Sequence, residues 1–287
     1  MVKQVSCGES HTAFISQTGK VFTIGSGEHG ALGHGNKTTL TTPKIVSALA
    51  KLTCLQVSCG PYHTAFIAGE ESEIGFVRVP PSAAPVNVYE EWEGSPDGRF
   101  DRAQDGSLLC ARLFMCGIGK TGQLGLGDKS DMIKSPREVK WFTDNGHRVA
   151  KVSCGMHHTA VIAVPVHAMR MFITTVFTFG WGEHGRLGHG TENSCKIPTE
   201  VAFPEPFHAI DISAGEQHTL ATSGRDNGCY AWGNNSFGQC AAGSPSSAEF
   251  SLTPNRVPIP EGIRVMSVTA GGRHRYYCLY LSCGVIN

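Results

Sequence analysis

No segment of this chain approaches the roughly 20 consecutive apolar residues of a membrane helix. None sustains the 3.6-residue periodicity of an amphipathic helix either. Charge of one sign is also missing: 24 Lys and Arg balance 24 Asp and Glu. The chain as a whole therefore carries no electrostatic footprint for nucleic acid. Its eleven cysteines include no C-x-x-C pair, which disfavours zinc and dithiol chemistry. The opening MVKQVSCGES has no basic region followed by an apolar stretch, so no signal peptide is expected. A reducing compartment, cytosol or nucleus, is the expected location. What remains is 287 residues, 40% hydrophobic, with 35 glycines and 15 prolines. That composition suits strands and turns with ample core.

The stretch GIGKTGQLGLG at 117–127 raises the question of nucleotide binding. A Walker A loop needs a glycine five residues before its GK pair, and that position is Phe114. A dinucleotide fingerprint needs a helix after its glycines. Here Gly122, Gly125 and Gly127 would fill the first turns, each at a cost of about 1 kcal/mol against Ala. The stretch also recurs, as GSGEHGALGHG at 25–35, GWGEHGRLGHG at 180–190 and a degraded GNNSFGQCAAG at 233–243. Repetition favours a structural loop over a cofactor loop, and no cofactor is expected.

Two further landmarks recur in step with that loop. VSCGESHTAF at 5–14 returns as VSCGPYHTAF at 57–66 and VSCGMHHTAV at 152–161, then as ISAGEQHTLA at 212–221 and VTAGGRHRYY at 268–277. A proline precedes a valine by three residues at Pro43/Val46, Pro136/Val139, Pro198/Val201 and Pro254/Val257. The order within each unit is strand, turn, strand, hairpin turn, strand, glycine loop and a last strand. The proline within that last strand places it at a sheet edge, where a missing N–H does no harm. Units of 51–60 residues with four short antiparallel strands predict the blades of a β-propeller. The expected repeats are 1–56, 57–151, 152–211, 212–267 and a partial 268–287, forming one domain. An insertion at 69–112 lengthens the second. Between Glu70 and Asp105 it holds nine acidic residues against three arginines, which predicts disorder, a docking element for a basic surface, or an unspliced or misassigned stretch of the gene.

WD-type repeats end in Trp-Asp and kelch repeats carry Gly-Gly in every unit; neither pattern is present. The pairing of C-G-x-x-H-T with G-x-x-x-x-G-x-L-G instead resembles the regulator of chromosome condensation family. The resemblance covers the chain outside 69–112. It implies a propeller that usually closes seven blades, against about four complete blades and a partial fifth here. It also implies protein partners, such as a small GTPase or a chromatin protein, and in the founding case nucleotide exchange on the GTPase Ran. A light-sensing role, which the family fills with Trp and Arg before the repeat histidine, is disfavoured. Those slots hold Glu9-Ser10, Pro61-Tyr62, Met156-His157, Glu216-Gln217 and Gly272-Arg273. An open propeller would expose apolar blade faces, so the expectation is a fragment of a larger ring, pairing with another copy, or closure as a smaller ring.

The repeat residues read as structural: Gly8 and His11, Gly60 and His63, Gly155 and His158, Gly215 and His218, Gly271 and His274. Rotation about a propeller axis separates equivalent histidines, so they cannot gather as a metal ring at the ~2 Å a metal requires. Each imidazole is expected to bond backbone within its own blade, with Thr12, Thr64, Thr159 and Thr219 doing similar local work. Leu32, Leu124 and Leu187 are expected to anchor the loops between blades, with Cys240 in the fourth copy. Binding candidates are the variable loop residues Glu28, His29, Lys120, Thr121, Glu183, His184, Asn235 and Ser236. No nucleophile–base pair or metal constellation emerges. The chain therefore reads as a protein-interaction module, with guanine-nucleotide exchange as the alternative.

Overall fold

Alternation of apolar and polar residues on both sides of the C-G-x-x-H-T turn makes each motif a β-hairpin, and the computed structural model shows how these hairpins assemble. It describes residues 1–77, 108–128, 130–168, 173–204, 207–224, 228–240, 249–260, 263–272 and 275–281. Blade 1 comprises β1 (Val2–Cys7), β2 (His11–Ser16), β3 (Val21–Gly25) and β4 (Leu40–Ile45), hydrogen-bonded in that order. Blade 2 holds β5 (Thr53–Cys59) and β6 (His63–Gly69). A short two-stranded extension follows, β7 (Gly75–Val77) with β8 (Leu108–Cys110), before β9 (Arg112–Ile118) and β10 (Met132–Glu138) complete the sheet. β6 pairs directly with β9, His63 opposite Gly117, so the insertion leaves the blade intact. Most of that acidic insertion, 78–107, lies outside the described residues.

Blade 3 is β11 (His147–Cys154), β12 (His158–Pro165), β13 (Thr175–Gly180) and β14 (Cys195–Glu200). Blade 4 is β15 (Ala209–Ala214), β16 (His218–Ser223), β17 (Cys229–Asn234) and β18 (Phe250–Val257). A two-stranded sheet, β19 (Ile263–Ala270) with β20 (Arg275–Leu281), follows. The fold is all-β: four four-stranded antiparallel blades and part of a fifth. The prolines Pro43, Pro136, Pro198 and Pro254 all fall on the outer edge strands, as the missing N–H requires.

The core lies between blades. Ala13 and Ile15 of blade 1 pack against Phe66, Phe114 and Cys116 of blade 2. Ile67, Leu113 and Met115 meet Val161, Phe177 and Phe179 of blade 3, with the loop residue Leu124 among them. Ile162 and Val176 meet Tyr230 and Trp232 of blade 4. Leu220 and Ala231 then meet Val265 and Val268 of β19. Full burial of such a side chain stabilises by about 1.5–3 kcal/mol. Cys240, buried in that last cluster, takes the slot of the loop leucines.

Polar groups fix the same joints, and here the expectation for the histidines is corrected. The imidazoles reach the next blade, not their own backbone. His11 Nε2 lies 2.7 Å from Thr64 Oγ1, His63 Nε2 2.9 Å from Thr159 Oγ1, and His158 Nε2 2.9 Å from Thr219 Oγ1. The threonines are not local either. Thr64, Thr159 and Thr219 donate back to the carbonyls of Ala31, Gln123 and Arg186 in the preceding blade's loop. A hydroxyl that donates to a carbonyl must accept from the imidazole, so Nε2 carries a proton, and burial keeps each ring neutral. Burial lowers the pKa of His11 to about 4 and of His63 to about 3, and pushes His158 well below its usual value. A ring placed to donate to a neighbour across a joint does so because its own backbone groups are already used in the β2–β3 ladder. His274 lies outside the described residues.

The serine of V-S-C-G is a second clasp. Ser6, Ser58, Ser153 and Ser213 accept the N–H of Cys59, Cys154, Ala214 and Ala270 at 2.9–3.0 Å. A third clasp pairs Gln4 with both backbone groups of Val57, and Gln56 with those of Val152. At the next joint Lys151 makes an ion pair with Asp211, which in turn accepts Val268 N–H at 3.0 Å. The repeat glycines close the axis. A Cβ on Gly8, Gly60, Gly155 or Gly215 would come within 2.4–2.6 Å of the carbonyl of the next repeat glycine, Gly60, Gly155, Gly215 or Gly271. These positions need glycine for close backbone approach.

Candidate protein-binding face

The C-G-x-x-H turns and the glycine loops lie at one end of the blades. Ser26, Ile118, Trp181 and Asn234, the first residues of the four loops, donate their N–H to the carbonyls of Ser10, Tyr62, His157 and Gln217 in the turns. A glycine, Gly25, Gly117, Gly180 or Gly233, sits at the end of each third strand or one residue before it, because the backbone must turn sharply over the histidine. Gly25 has φ +112, and a Cβ there would lie 2.5 Å from Ser10 O.

This end carries a continuous row of rings across three blades. His29 meets the edge of Tyr62 at 5.0 Å, and Tyr62 stacks on His157 at 5.5 Å. His157 meets Trp181 at 5.2 Å. Under Trp181 lies the Arg186 guanidinium, 4.7 Å from the ring centroid. Arg186 is buried and held by the carbonyls of Glu183 at 2.8 Å and Glu216 at 3.2 Å. Burial lowers its pKa to about 10, which leaves it charged at neutral pH. His29, Tyr62, His157 and Trp181 are each half-buried, so every ring offers part of its surface to solvent. Burial lowers the pKa of His157, and the nearby Arg186 charge adds to that.

The sequence candidates divide on this face. His29 belongs to the row. Thr121 reaches it, its hydroxyl bonded to Gln123 Oε1 at 2.6 Å and 3.4 Å from the His157 carbonyl. Glu28 and Lys120 are exposed on the loop tips, and Ser236 is exposed in the fourth loop. Glu183 is half-buried beside Arg186, 3.8 Å from its guanidinium. His184 takes a left-handed φ of +60, its N–H bonded to Glu192. Asn235 was expected to be exposed and is not. Its carboxamide oxygen accepts Cys240 N–H at 3.0 Å and holds the loop closed. Loop tips that are short on glycine, as in GNNSFG, need such a side-chain bond to complete the turn.

Tyr62, His157 and Trp181 were not among the sequence candidates. The turn slots carry no tryptophan in the sequence, and only the fold shows that Tyr62, His157 and the loop residue Trp181 line up across blades. Among the described residues no cluster of three or more His, Cys, Asp or Glu could hold a metal ion. No helix among them is long and apolar enough to cross a membrane.

The regulator of chromosome condensation (RCC1) repeat matches residues 18–67, 111–162, 175–222 and 226–276, most of the chain. The chain belongs to that family. It is 29% identical over 95% of its length to the ultraviolet-B receptor UVR8 of Arabidopsis thaliana, of which it covers 62%. It is 32% identical over 84% of its length to the human probable E3 ubiquitin-protein ligase HERC3, of which it covers 28%. Among solved structures it superposes on human WBSCR16 with a TM-score of 0.70 at 22% identity, covering 98% of this chain and 58% of that one. It superposes on yeast RCC1 (Prp20) bound to Kap60 with a TM-score of 0.67 at 18% identity, covering 97% and 54%. The chain thus spans less than two thirds of the length of these relatives.

Proposed function

We propose that this chain is a protein-interaction module whose binding face is the turn-and-loop end of the blades, centred on the row His29, Tyr62, His157 and Trp181. The row is the observation that supports this reading. Partly exposed Tyr and Trp on a rigid scaffold are the residue types that dominate protein interfaces, because they offer large contact area at little entropy cost. Arg186 beneath Trp181 keeps the indole in place.

The alternative is nucleotide exchange on a Ran-like GTPase. Exchange needs no covalent chemistry, only a surface that binds the nucleotide-free state best. It is supported by the family likeness, and a related yeast Prp20p structure is described with its binding to Gsp1p and histones. One assay separates the two readings. The chain and a Tyr62→Ala/Trp181→Ala variant are mixed with small GTPases carrying fluorescent GDP, and binding and release are both recorded. Binding without release, lost in the variant, is the expected result. Accelerated release assigns exchange. A variant that binds every partner as the parent does overturns this assignment of the face.

A further inference from the structure

The turn-and-loop end of the blades is ill-suited to two common ways of holding a partner chain. An added β-strand needs free backbone groups along an edge. Here the turn carbonyls of Ser10, Tyr62, His157 and Gln217 are already engaged by the loop N–H groups of Ser26, Ile118, Trp181 and Asn234. An amphipathic helix needs an apolar groove. Here the loop leucines Leu32, Leu124 and Leu187 are buried between blades and offer none. Recognition at this end therefore falls to the rings of His29, Tyr62, His157 and Trp181.

Two features of the row select an extended ligand of one kind. The first is spacing. Tyr62 lies 5.5 Å from His157, and His157 lies 5.2 Å from Trp181. A polyproline II helix rises ~3.1 Å per residue and brings every third residue to the same side. The two steps from Tyr62 to Trp181 thus span roughly one of its turns. The second feature is hydrogen bonding. Tyr62 Oη and Trp181 Nε1 are not buried and make no hydrogen bond among the described residues. The row offers ring surface together with O–H and N–H donors, while the turn carbonyls beneath it are engaged. A proline-rich chain is the complement of such a surface. It has carbonyls that accept, few N–H groups that need an acceptor, and rings that pack on aromatic side chains. Its conformation is formed before binding, so little ordering entropy is lost.

We propose that the ring row is a docking site for a proline-rich segment of a protein partner, bound as a polyproline II helix. Two of its residues, one turn apart, pack beside Tyr62 and Trp181, and its carbonyls accept from Tyr62 O–H and Trp181 N–H. The Arg186 guanidinium, 4.7 Å from the Trp181 centroid, holds the indole in position for this contact. The proposal rests on the reading of this end as the protein-binding face and names its ligand.

The test is fluorescence anisotropy of the full chain with labelled decaproline as the probe. A glycine–serine peptide of the same length and an EAAAK-repeat helix are the controls. The expected result is that decaproline binds at least about tenfold tighter than either control. Tyr62→Ala weakens that binding by more than about tenfold. Tyr62→Phe keeps the ring and loses the donor, and weakens it by about two- to tenfold. Trp181→Ala acts like Tyr62→Ala, and a melting curve of each variant checks the fold. Phe237→Ala removes an exposed ring of the fourth loop, outside the row, and leaves binding unchanged. Equal binding of the three peptides, or an equal loss in Phe237→Ala, overturns the proposal. The GTPase assay keeps the two readings apart. If the Tyr62→Ala/Trp181→Ala variant loses a protein partner there while the parent chain ignores decaproline, the ligand class falls and the face stands. If the variant keeps both decaproline and every protein partner, the face falls as well.

Discussion

Acidification from about pH 7.5 to 5.0 should unfasten the blades, and the structure gives the size of the effect. His11, His63 and His158 donate from Nε2 to a threonine across a joint, and burial keeps each of them neutral in the fold. Their folded pKa values, about 4 for His11, about 3 for His63 and well below 6.5 for His158, are depressed. Unfolded, each returns to about 6.5. Below that value the unfolded chain binds more protons than the folded one, so stability is full above pH 6.5 and falls with pH until the folded pKa is reached. Each ring contributes a slope approaching about 1.4 kcal/mol per pH unit. Between pH 7.5 and 5.0 the loss is about 2 kcal/mol each for His11 and His63, about 4 kcal/mol together against a typical total of 5–15 kcal/mol, and His158 adds in the same direction. The half-buried His34, His157 and His189, all with lowered pKa, add in the same direction. The assay is a set of urea unfolding curves between pH 8 and 5, for the parent and for His63→Gln. The variant, less stable overall, should show a shallower pH dependence. A stability that stays flat over this range, or a slope unchanged in His63→Gln, refutes the neutral cross-blade histidines.

Other substitutions probe the remaining contacts. Gly155→Ala places a Cβ 2.5 Å from Gly215 O and should destabilise by about 1–3 kcal/mol or more, whereas Gly146→Ala, with φ +67 and open space around it, should cost only about 1 kcal/mol, as measured by thermal melting. Ser58→Ala strands Cys154 N–H at the axis and should cost about 1–3 kcal/mol in the same measurement. Thiol labelling of the native chain should modify Cys7 readily and leave Cys59 and Cys154 untouched until unfolding. Those two are buried, with thiols pushed up to about 12.

The blades were legible in the sequence because strand, turn and edge-proline signals are local and recur in register. Pro43, Pro136, Pro198 and Pro254 alone place four edge strands. The direction of the clasps was not legible. Spacing along one repeat puts His63 and Thr64 side by side, and nothing in that spacing says that their partners are Thr159 and Ala31, in different blades. A signal was present in Ser6, Ser58, Ser153 and Ser213, which recur in four of the five copies, but a small polar residue before Cys or Ala reads as an ordinary strand position. The ring row escaped for a related reason. Tyr62, His157 and Trp181 come from two kinds of slot in two repeats, and only the packing of neighbouring blades makes them one surface. Asn235 shows the opposite error: loop membership suggested exposure, while its carboxamide was needed to close a glycine-poor turn.

A double-mutant cycle on His63 and Thr159 tests most directly whether the repeat residues are joints between blades. His63→Ala, Thr159→Ala and the double variant are compared by denaturant unfolding, with His63 and Thr64 as the within-blade control. Coupling of about 1 kcal/mol or more for His63 with Thr159, and little for His63 with Thr64, is the predicted result. Additive effects across the joint, with coupling inside the blade, would contradict the account.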